Sequence, residues 1–330
     1  MDRVPERRLR DHSIAELQTR LKRGLRLRIG PFTIHFEGGS ADLAERLHAH
    51  YPNYPVAAAS AFADAKIAVG RNPSFSRHWF STRAIRTDDG RVFTTFPREA
   101  TLAHIEWTMN WAVANRSHYF LMLHAGVLAN AQGALILPAH PGAGKSTLCA
   151  YLMYRGWRLL SDEFTLIRDR SLQIHPFPRL IPLKNQSIGV IRELIPDAHL
   201  GPSISGTHKG TVAHLRPADS HISAMLETAV PKLMIFPLYK AGAALSIEPA
   251  ARSECFVEIT QNAFNYVLRG REGFEMAAAL TNQVTPYRLT YSDLPSAAQA
   301  IDALMLETAS STSAPQSAQH QRGCGHSGLS

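Results

Sequence analysis

Cysteine is scarce in this chain: there are three in 330 residues, at Cys149, Cys255 and Cys324. Such sparse, widely spaced cysteines argue against the disulfide framework of small secreted proteins. Long apolar runs are also absent, because the longest, Leu121–Pro138, is interrupted by polar residues. No apolar segment follows the charged start, so the sequence predicts no signal peptide. We therefore expect a cytoplasmic protein without a membrane span.

Charged residues make up only 19% of the chain and hydrophobic residues 45%, which is typical of a globular protein. The net charge of +8 is unevenly placed, because the first 30 residues hold nine basic and four acidic side chains. A basic arm of this kind could contact nucleic acid or an acidic partner. Because no aromatic or glycine-rich RNA signature accompanies it, we expect no nucleic-acid partner and interpret the arm as a solvated helix face.

The character of the sequence divides the chain into three parts. Residues 1–117 mix strand-like alternation with helical periodicity, which predicts a smaller N-terminal α+β region. Residues 118–308 contain short apolar runs bounded by turn residues and separated by helical segments, which is typical of an α/β domain with a buried sheet. Residues 309–330 are rich in Ser, Ala, Gln and Gly and almost free of large apolar side chains. We predict that this last part is a disordered tail.

The stretch AHPGAGKS, residues 139–146, nearly matches the phosphate-loop pattern G-x-x-x-x-G-K-[ST]. The apolar run Ala134–Leu137 predicts the strand that such a loop must follow, and Ser146–Arg155 predicts the helix that must come after it. Backbone N–H groups of the loop and of the helix N-terminus would bind the phosphates of ATP. The residues assigned to ATP binding are Ala139, His140, Pro141, Gly142, Ala143, Gly144, Lys145, Ser146 and Thr147.

One position departs from the phosphate-loop pattern, because Ala139 stands where the first glycine belongs. An alanine is tolerated there if its φ is negative, since only the glycines further along, Gly142 and Gly144, need open backbone geometry. In this motif Lys145 would reach the β- and γ-phosphates, and the Ser146 hydroxyl would bind Mg²⁺. The sequence therefore predicts a working nucleotide site despite the alanine.

Two adjacent acids, Asp162 and Glu163, follow the next apolar run, Arg158–Ser161. If this run lies near the phosphate-loop strand in a parallel sheet, its carboxyl end faces the same crevice. One acid could then bind Mg²⁺, and the other could take a proton from an attacking hydroxyl. Because adjacent strand residues point to opposite faces, only one can aim squarely at the metal. The alternative is a solvated strand end with no chemical role.

Several segments together resemble the core of bacterial HPr kinase/phosphorylase. They begin with His124-Ala125-Gly126-Val127, continue with the phosphate loop, and end with the stretch RGWRLLSDE at residues 155–163. The resemblance is closer to the group called HprK-related kinase A. It extends through Pro178-Arg179, Leu183-Lys184-Asn185, the stretch KGTVAHL at residues 209–215, Phe236-Pro237 and Ala263-Phe264-Asn265-Tyr266. It covers most of residues 25–305 and implies an α/β phosphate-loop domain of the HPr kinase / phosphoenolpyruvate-carboxykinase type.

The resemblance also implies an activity: an ATP- and Mg²⁺-dependent, serine-kinase-like phosphotransferase acting on a small protein or peptide. It assigns catalytic roles to Asp162, as the base, to Lys145 and to His124, whose counterpart in the family lies near the phosphates. It assigns the metal to Ser146, Glu163 and Asp162, although Glu163 replaces an aspartate of the family. His124 could equally be a packed strand histidine.

One family segment is missing, because no stretch of the type Leu-x-Ile-Arg-Gly-x-Gly follows the acids. Neither the protein substrate nor the reverse phosphorylase activity of the family is therefore carried over. Arg179, Lys184 and Lys209 are candidates to replace the cationic contacts of that segment, or are simply solvated.

The partner and the reaction both leave alternatives. The related group is usually encoded beside a PqqD-like peptide chaperone, which makes such a chaperone a candidate acceptor, and the chain could form a homo-oligomer. An ATP-hydrolysing switch is one alternative to a kinase. A non-catalytic, nucleotide-sensing adaptor for a peptide chaperone and surface-sorting system is another.

Overall fold

The chain is mixed α/β, and the computed structural model describes residues 7–71, 82–207 and 209–312. The strands are β1 (Leu25–Ile29), β2 (Phe32–Glu37), β3 (Ala65–Arg71), β4 (Thr82–Thr87), β5 (Val92–Pro97), β6 (Phe120–Leu123), β7 (Ala125–Asn130), β8 (Gly133–Pro138), β9 (Arg158–Ser161), β10 (Thr165–Arg168), β11 (Gln173–His175), β12 (Ile181–Lys184), β13 (Ile204–Thr207), β14 (Gly210–Leu215), β15 (Pro231–Tyr239), β16 (Ser246–Pro249) and β17 (Thr285–Tyr291). The helices are α1 (Ile14–Arg23), α2 (Ala41–His50), α3 (Thr101–Arg116), α4 (Lys145–Tyr154), α5 (Gln186–Leu194), α6 (Asp219–Ser223), α7 (Arg252–Asn262), α8 (Tyr266–Gln283) and α9 (Leu294–Thr312).

The first five strands form a sheet in the order β1-β2-β3-β4-β5. Strands β1 and β2 form a hairpin, in which Ile29 pairs with Phe32 across Gly30-Pro31, as the alternating apolar residues on either side of this turn predict. Helix α1 begins with the capping box that the spacing of Ser13 and Glu16 predicts: the Ser13 hydroxyl accepts the Glu16 N–H at 3.3 Å, and the Glu16 carboxylate accepts the Ser13 N–H at 2.8 Å. These features depend on residues close together in the sequence, so they can be predicted without knowledge of the fold.

A six-stranded sheet in the order β16-β17-β15-β8-β7-β9 forms the centre of the remaining chain. Strands β17, β15 and β8 are parallel, whereas β7 runs antiparallel to both β8 and β9. Strands β8 and β9 therefore point the same way, as expected, but β7 lies between them. Their carboxyl ends share one edge of the sheet, and this edge carries both the phosphate-loop candidate and the acidic pair.

Helices cover both faces of this central sheet. Leu135 joins the cluster that packs α4, α5 and α9 on one face, and its neighbour Ile136 joins the cluster that packs α7 and α8 on the other. This alternation within β8 is what a strand buried on both sides requires. Two smaller sheets, β11-β10-β6 and β12-β14-β13, flank the central one.

Two expectations about element boundaries need correction. The composition of the apolar stretch Leu121–Pro138 predicts two buried strands, but the stretch holds parts of three, because β6 belongs to a different sheet from β7 and β8. Helix α9 continues to Thr312, into the segment predicted to be disordered. Within this last part of the helix, the Thr308 and Ser310 hydroxyls donate to the carbonyls of Leu304 and Leu306, four residues back. The rest of the predicted tail, residues 313–330, lies outside the described residues.

Within the described ranges, no helix combines the length and the apolar character needed to cross a membrane.

Candidate nucleotide site

The loop between β8 and α4 has the backbone geometry that the glycines predicted. Gly142 has a φ of 92° and Gly144 a φ of 87°, both in the region that favours glycine. Ala139 is not among the described non-glycine residues with positive φ, so its methyl group meets no backbone penalty. His140 and Pro141 are exposed at the tip of the loop.

The loop is held from behind by the ends of β15 and β17. The Tyr239 N–H donates to the Ala143 carbonyl at 3.1 Å, and the Tyr291 hydroxyl donates to the Gly144 carbonyl at 3.3 Å. A Cβ on Gly144 would lie 2.4 Å from the Tyr291 hydroxyl, so this position has no room for a side chain. These contacts fix the shape of the loop from strands far along the chain.

Helix α4 begins at Lys145, and its N-cap residue is Gly144, so no side chain caps the N-terminus. The N–H groups of its first turn have no partner within the helix and can donate hydrogen bonds to an anion. Lys145 is buried beside this turn, whereas Ser146 and Thr147 are half-buried on it. The arrangement has the chemistry that a nucleotide phosphate requires.

Gly126 allows α4 to lie directly against β7. A Cβ at this position would lie 2.5 Å from the Cys149 sulfur and 3.4 Å from the Cγ of Lys145. The glycine of the His-Ala-Gly-Val segment therefore determines how closely the stem of Lys145 approaches the sheet.

Lys145 and Ser146 both contact Asp162 at the carboxyl end of β9. The Lys145 ammonium donates to the Asp162 carbonyl and lies 3.6 Å from its Oδ1. The Ser146 hydroxyl donates to Oδ2 at 2.8 Å. Burial lowers the pKa of Lys145, but the charges of Asp162 and Glu163 outweigh it and raise that pKa above its usual value. Lys145 therefore remains a cation at neutral pH.

Glu163 points to a different partner from Asp162, as expected for adjacent residues at a strand end. Its Oε2 lies 3.4 Å from the Nε2 of His124. Burial disfavours the charged form of Glu163, but Lys145 and His124 together hold its pKa well below its usual range. The Ser161 hydroxyl accepts the N–H groups of Glu163 at 3.3 Å and Phe164 at 3.0 Å, which shapes the turn that separates the two carboxylates.

The residues around Asp162 fit a magnesium ion. Its Oδ1 is buried and has no hydrogen-bond partner, and the Ser146 hydroxyl is bonded to the other oxygen of the same carboxylate. Mg²⁺ prefers oxygen ligands of this kind and is usually bound by few protein groups together with substrate phosphates. Within the described part of the chain, no group of three or more His, Cys, Asp or Glu could hold a metal ion.

The three candidate cations have different surroundings. Arg179 is buried, and its guanidinium donates to the carboxylate of Glu106 and to the side-chain oxygen of Asn110. Its terminal N–H groups are therefore bonded within the protein, and the structure gives no support to the suggestion that it replaces a cationic contact of the family. Lys209 is exposed, with its ammonium 5.2 Å from the ring centre of Trp107, and Lys184 is half-buried on the neighbouring strand.

Two groups of residues at this site were missed from the sequence. Tyr239 and Tyr291 carry no local signal, because they reach the loop only through the order of strands in the sheet. Phe264 could have been noticed, since it belongs to the Ala-Phe-Asn-Tyr segment. Its ring centre lies 5.8 Å from that of His124 and 4.9 Å from that of Phe164.

A cavity of about 440 Å³ lies in the N-terminal region, lined in part by Leu21, Gly38, Val69 and Arg86. It shares no residue with the phosphate loop or the acidic pair. The chemical groups that can act together are at the edge of the central sheet, so we place the candidate site there.

Comparison with protein-family models gives no match, and no curated protein matches the chain significantly. The fold and the site define a mixed α/β protein in which a strand, a glycine-containing loop and a helix meet two acids at one sheet edge.

Proposed function

We propose that this protein is an ATP- and Mg²⁺-dependent phosphotransferase of the serine-kinase type, with a small protein or peptide as acceptor. Its phosphate-loop domain would be of the HPr kinase / phosphoenolpyruvate-carboxykinase type, and its relatives would be the HprK-related kinase A group. The observation that carries the proposal is the Asp162 carboxylate. It is buried beside Lys145, bonded to Ser146, and has one oxygen without a hydrogen-bond partner.

The nucleotide phosphates would bind on the N–H groups at the start of α4, with Lys145 as their fixed cation. Phosphoryl transfer needs little covalent assistance from the protein, so most of the catalysis comes from positioning and from stabilising charge. Lys145 suits this task because it is buried, remains charged and is held by the Asp162 carbonyl. It is therefore organised before the substrate arrives.

The geometry favours a different assignment from the one expected, in which Asp162 was the base and Glu163 a metal ligand. The Asp162 side chain is 2% exposed and that of Glu163 is 21% exposed. An acceptor hydroxyl can approach only the more accessible carboxylate, which is that of Glu163. Asp162 already accepts a hydrogen bond from Ser146, the residue expected to bind Mg²⁺. We therefore assign metal binding to Ser146 and Asp162, and the proton-accepting role to Glu163.

In the proposed reaction, the acceptor oxygen forms a bond to the γ-phosphorus of ATP while the bond from that phosphorus to the bridging oxygen breaks and ADP leaves. The hydroxyl proton moves to a carboxylate oxygen of Glu163. His124 orients this carboxylate through its Nε2, which is a positioning role. When bound by Asp162 and Ser146, Mg²⁺ would supply charge neutralisation for the phosphates.

An exposed apolar surface beside His124 supports a polypeptide acceptor. Phe264, at the ring contact with His124, is followed on α8 by Val267, which is 87% exposed, and Leu268, which is 73% exposed. Asn265 fixes this segment to β6, because its side chain donates to the Phe120 carbonyl at 2.7 Å. Large apolar side chains grouped together in solvent are typical of protein interaction sites.

The Mg²⁺ dependence of phosphoryl transfer in two variants tests the assignment. With Asp162→Asn we expect a higher Mg²⁺ requirement and partial recovery of the rate in excess metal. With Glu163→Gln we expect near-normal ATP affinity but a rate about 10²–10⁴-fold lower that metal does not restore, because the proton acceptor is lost. The measurement is the initial rate of label transfer from γ-labelled ATP to proteins of neighbouring genes, including any small peptide chaperone.

Ser146→Ala is the matched control, because loss of a metal ligand should reproduce the Asp162→Asn behaviour. Rescue of Glu163→Gln by metal, with Asp162→Asn left inactive, would return the base role to Asp162. Phosphate release without any acceptor would identify an ATP-hydrolysing switch. ATP binding without turnover, whichever partner is added, would identify an adaptor.

A further inference from the structure

Lys184 and Lys209 lie at the same end of the small sheet β12-β14-β13. Strand β12 ends at Lys184, which pairs with Val212 of the antiparallel strand β14. Lys209 directly precedes β14 in the turn after β13, where its N–H donates to the Thr207 hydroxyl at 3.1 Å. The two lysines are far apart in the sequence, and only the pairing of β12 with β14 brings them together.

A residue with strained backbone angles, Asn185, directly follows Lys184 and contacts β14 close to Lys209. Its φ of 50° and ψ of −120° are rare for any residue other than glycine. The Asn185 N–H donates to the Thr211 carbonyl at 3.0 Å, and its side-chain oxygen accepts the Thr211 N–H at 3.1 Å. A Cβ on Gly210 would lie 2.5 Å from that oxygen. Strain of this kind persists only where surrounding contacts impose it, so these contacts fix the backbone after Lys184 against the start of β14.

Neither lysine is neutralised by the protein. Among the residues that the structure describes, no ion pair joins Lys184 or Lys209 to a carboxylate. Burial and the charge of Lys184 lower the pKa of Lys209, and the charge of Glu163 opposes this shift. Lys209 also lies over the Trp107 ring of α3, which holds its stem against the N-terminal region. Two cations on adjoining backbone segments, neither paired with a carboxylate, favour an external anion beside them.

This anion belongs on the acceptor side of the proposed reaction. The nucleotide phosphates already have the start of α4 and Lys145 as partners. Among the roles assigned above, the acceptor is the one reactant that still lacks a cationic partner. An acidic acceptor approaching ATP and two carboxylates would be repelled, and two unpaired lysines offset this repulsion. The net charge of +8 also attracts an acidic partner over longer distances.

We propose that Lys184 and Lys209 form an anion subsite that binds an acidic side chain of the polypeptide acceptor, next to the hydroxyl that is phosphorylated. The proposal rests on the proposed phosphotransferase function, and it names the acceptor class as an acidic polypeptide. Lys184 and Lys209 are thus specificity-determining residues that contact the acceptor and not the transferred group.

Direct peptide binding tests the subsite independently of turnover. The probes are short fluorescent serine peptides flanked by Glu, Gln or Lys, titrated with the full chain in the presence of a non-hydrolysable ATP analogue. We expect the wild type to bind the Glu-flanked peptide about tenfold more tightly than the Gln-flanked one, with a preference that weakens as salt rises. The variant carrying Lys184→Gln and Lys209→Gln should lose this preference and bind the ATP analogue within about twofold of the wild type.

Two controls keep the result specific. Lys22→Gln removes an exposed lysine of α1 from the N-terminal region and should retain the preference. Lys184→Arg with Lys209→Arg keeps both charges and should retain most of it. Equal binding of the Glu and Gln peptides, no peptide binding, or an unchanged preference in the double Gln variant would overturn the subsite. Weakened binding of the ATP analogue in that variant would also overturn it, because the lysines would then serve the nucleotide.

Label transfer to the same peptides separates this proposal from the proposed function. Acid-selective binding without any transfer would leave the subsite standing and reject the kinase. Transfer that ignores the flanking charge would support the kinase and reject the subsite.

Discussion

Ala139 is the residue at which the phosphate loop departs from its pattern, and its backbone explains why the departure is tolerated. The residue is buried at the end of β8, and it is not one of the positive-φ positions. The conformational freedom that the loop needs lies instead at Gly142 and Gly144. A methyl group at position 139 therefore has no backbone penalty, and glycine there would only add flexibility to the unfolded chain.

Replacing Ala139 with glycine should leave affinity for an ATP analogue within about tenfold, since the entropic cost of glycine is only about 1 kcal/mol. Lys145→Met in the same titration should weaken binding of the analogue, because it removes the buried cation beside Asp162. In a separate assay with ATP, this variant should show no measurable turnover. Isothermal titration calorimetry of both variants provides the comparison. A gain of several hundredfold in Ala139→Gly would show that the alanine impairs the native site.

At the scale of elements, the loop takes its shape from strands β15 and β17 as much as from its own glycines. Tyr239 and Tyr291 contact consecutive carbonyls of the loop. Gly142 and Gly144 both have positive φ, but only Gly144 has tyrosine atoms against the position of a Cβ. Replacing Gly142 therefore tests only the need for a positive φ, whereas replacing Gly144 also tests the steric contact with the tyrosines.

Gly142→Ala should weaken binding of the ATP analogue modestly, by the cost of about 1–2 kcal/mol for an L-residue in the left-handed region. Gly144→Ala should be clearly worse, because its Cβ would also lie 2.4 Å from the Tyr291 hydroxyl. Adding Tyr291→Phe removes that oxygen and should recover part of the loss. Dissociation constants and melting temperatures of the three variants check this order. Equal effects of the two glycine replacements would show that the tyrosine contact does not constrain the loop.

At the scale of the whole molecule, a buried polar cluster connects the N-terminal region to the region of the acids. Arg179, in the segment between β11 and β12, pairs with Glu106 of α3, which also accepts the Tyr51 hydroxyl. Tyr54 donates to the Pro178 carbonyl at 2.8 Å. Burial raises the pKa of Glu106, and Arg179 opposes that shift. Removing one partner would thus leave an uncompensated charge in the core.

Arg179→Met should lower the free energy of unfolding by about 3–5 kcal/mol, because Glu106 would remain buried without its partner. The variant with both Arg179→Met and Glu106→Met should recover much of this loss, since two apolar side chains replace two buried charges. Arg271→Met is the exposed control: Arg271 is 92% exposed in its pair with Glu275, and such surface pairs contribute at most about 1 kcal/mol. Urea unfolding followed by tryptophan fluorescence and circular dichroism gives the values. A small effect of Arg179→Met alone would contradict the role of the cluster.

The sequence alone determined the features that depend on residues close together in the chain. Short spacings and local backbone preferences determine the capping box of α1, the β1–β2 hairpin, the positive φ of Gly142 and Gly144, and the strand–loop–helix order around Lys145. The proximity of Asp162 to the phosphate loop was also predictable, because β8 and β9 point the same way.

Only the tertiary structure decided which distant groups meet. Strand order and packing between remote segments decide four features of the molecule. These are the position of β7 between β8 and β9, the tyrosines behind the loop, the burial of Arg179 against Glu106, and the pairing of β12 with β14 that brings Lys184 and Lys209 to one end of a sheet. A charged residue carries no local mark of whether it will be buried in an ion pair or left facing a substrate. That outcome is set by the free energy of burying each side chain against its final neighbours, and those neighbours are known only once the chain has folded.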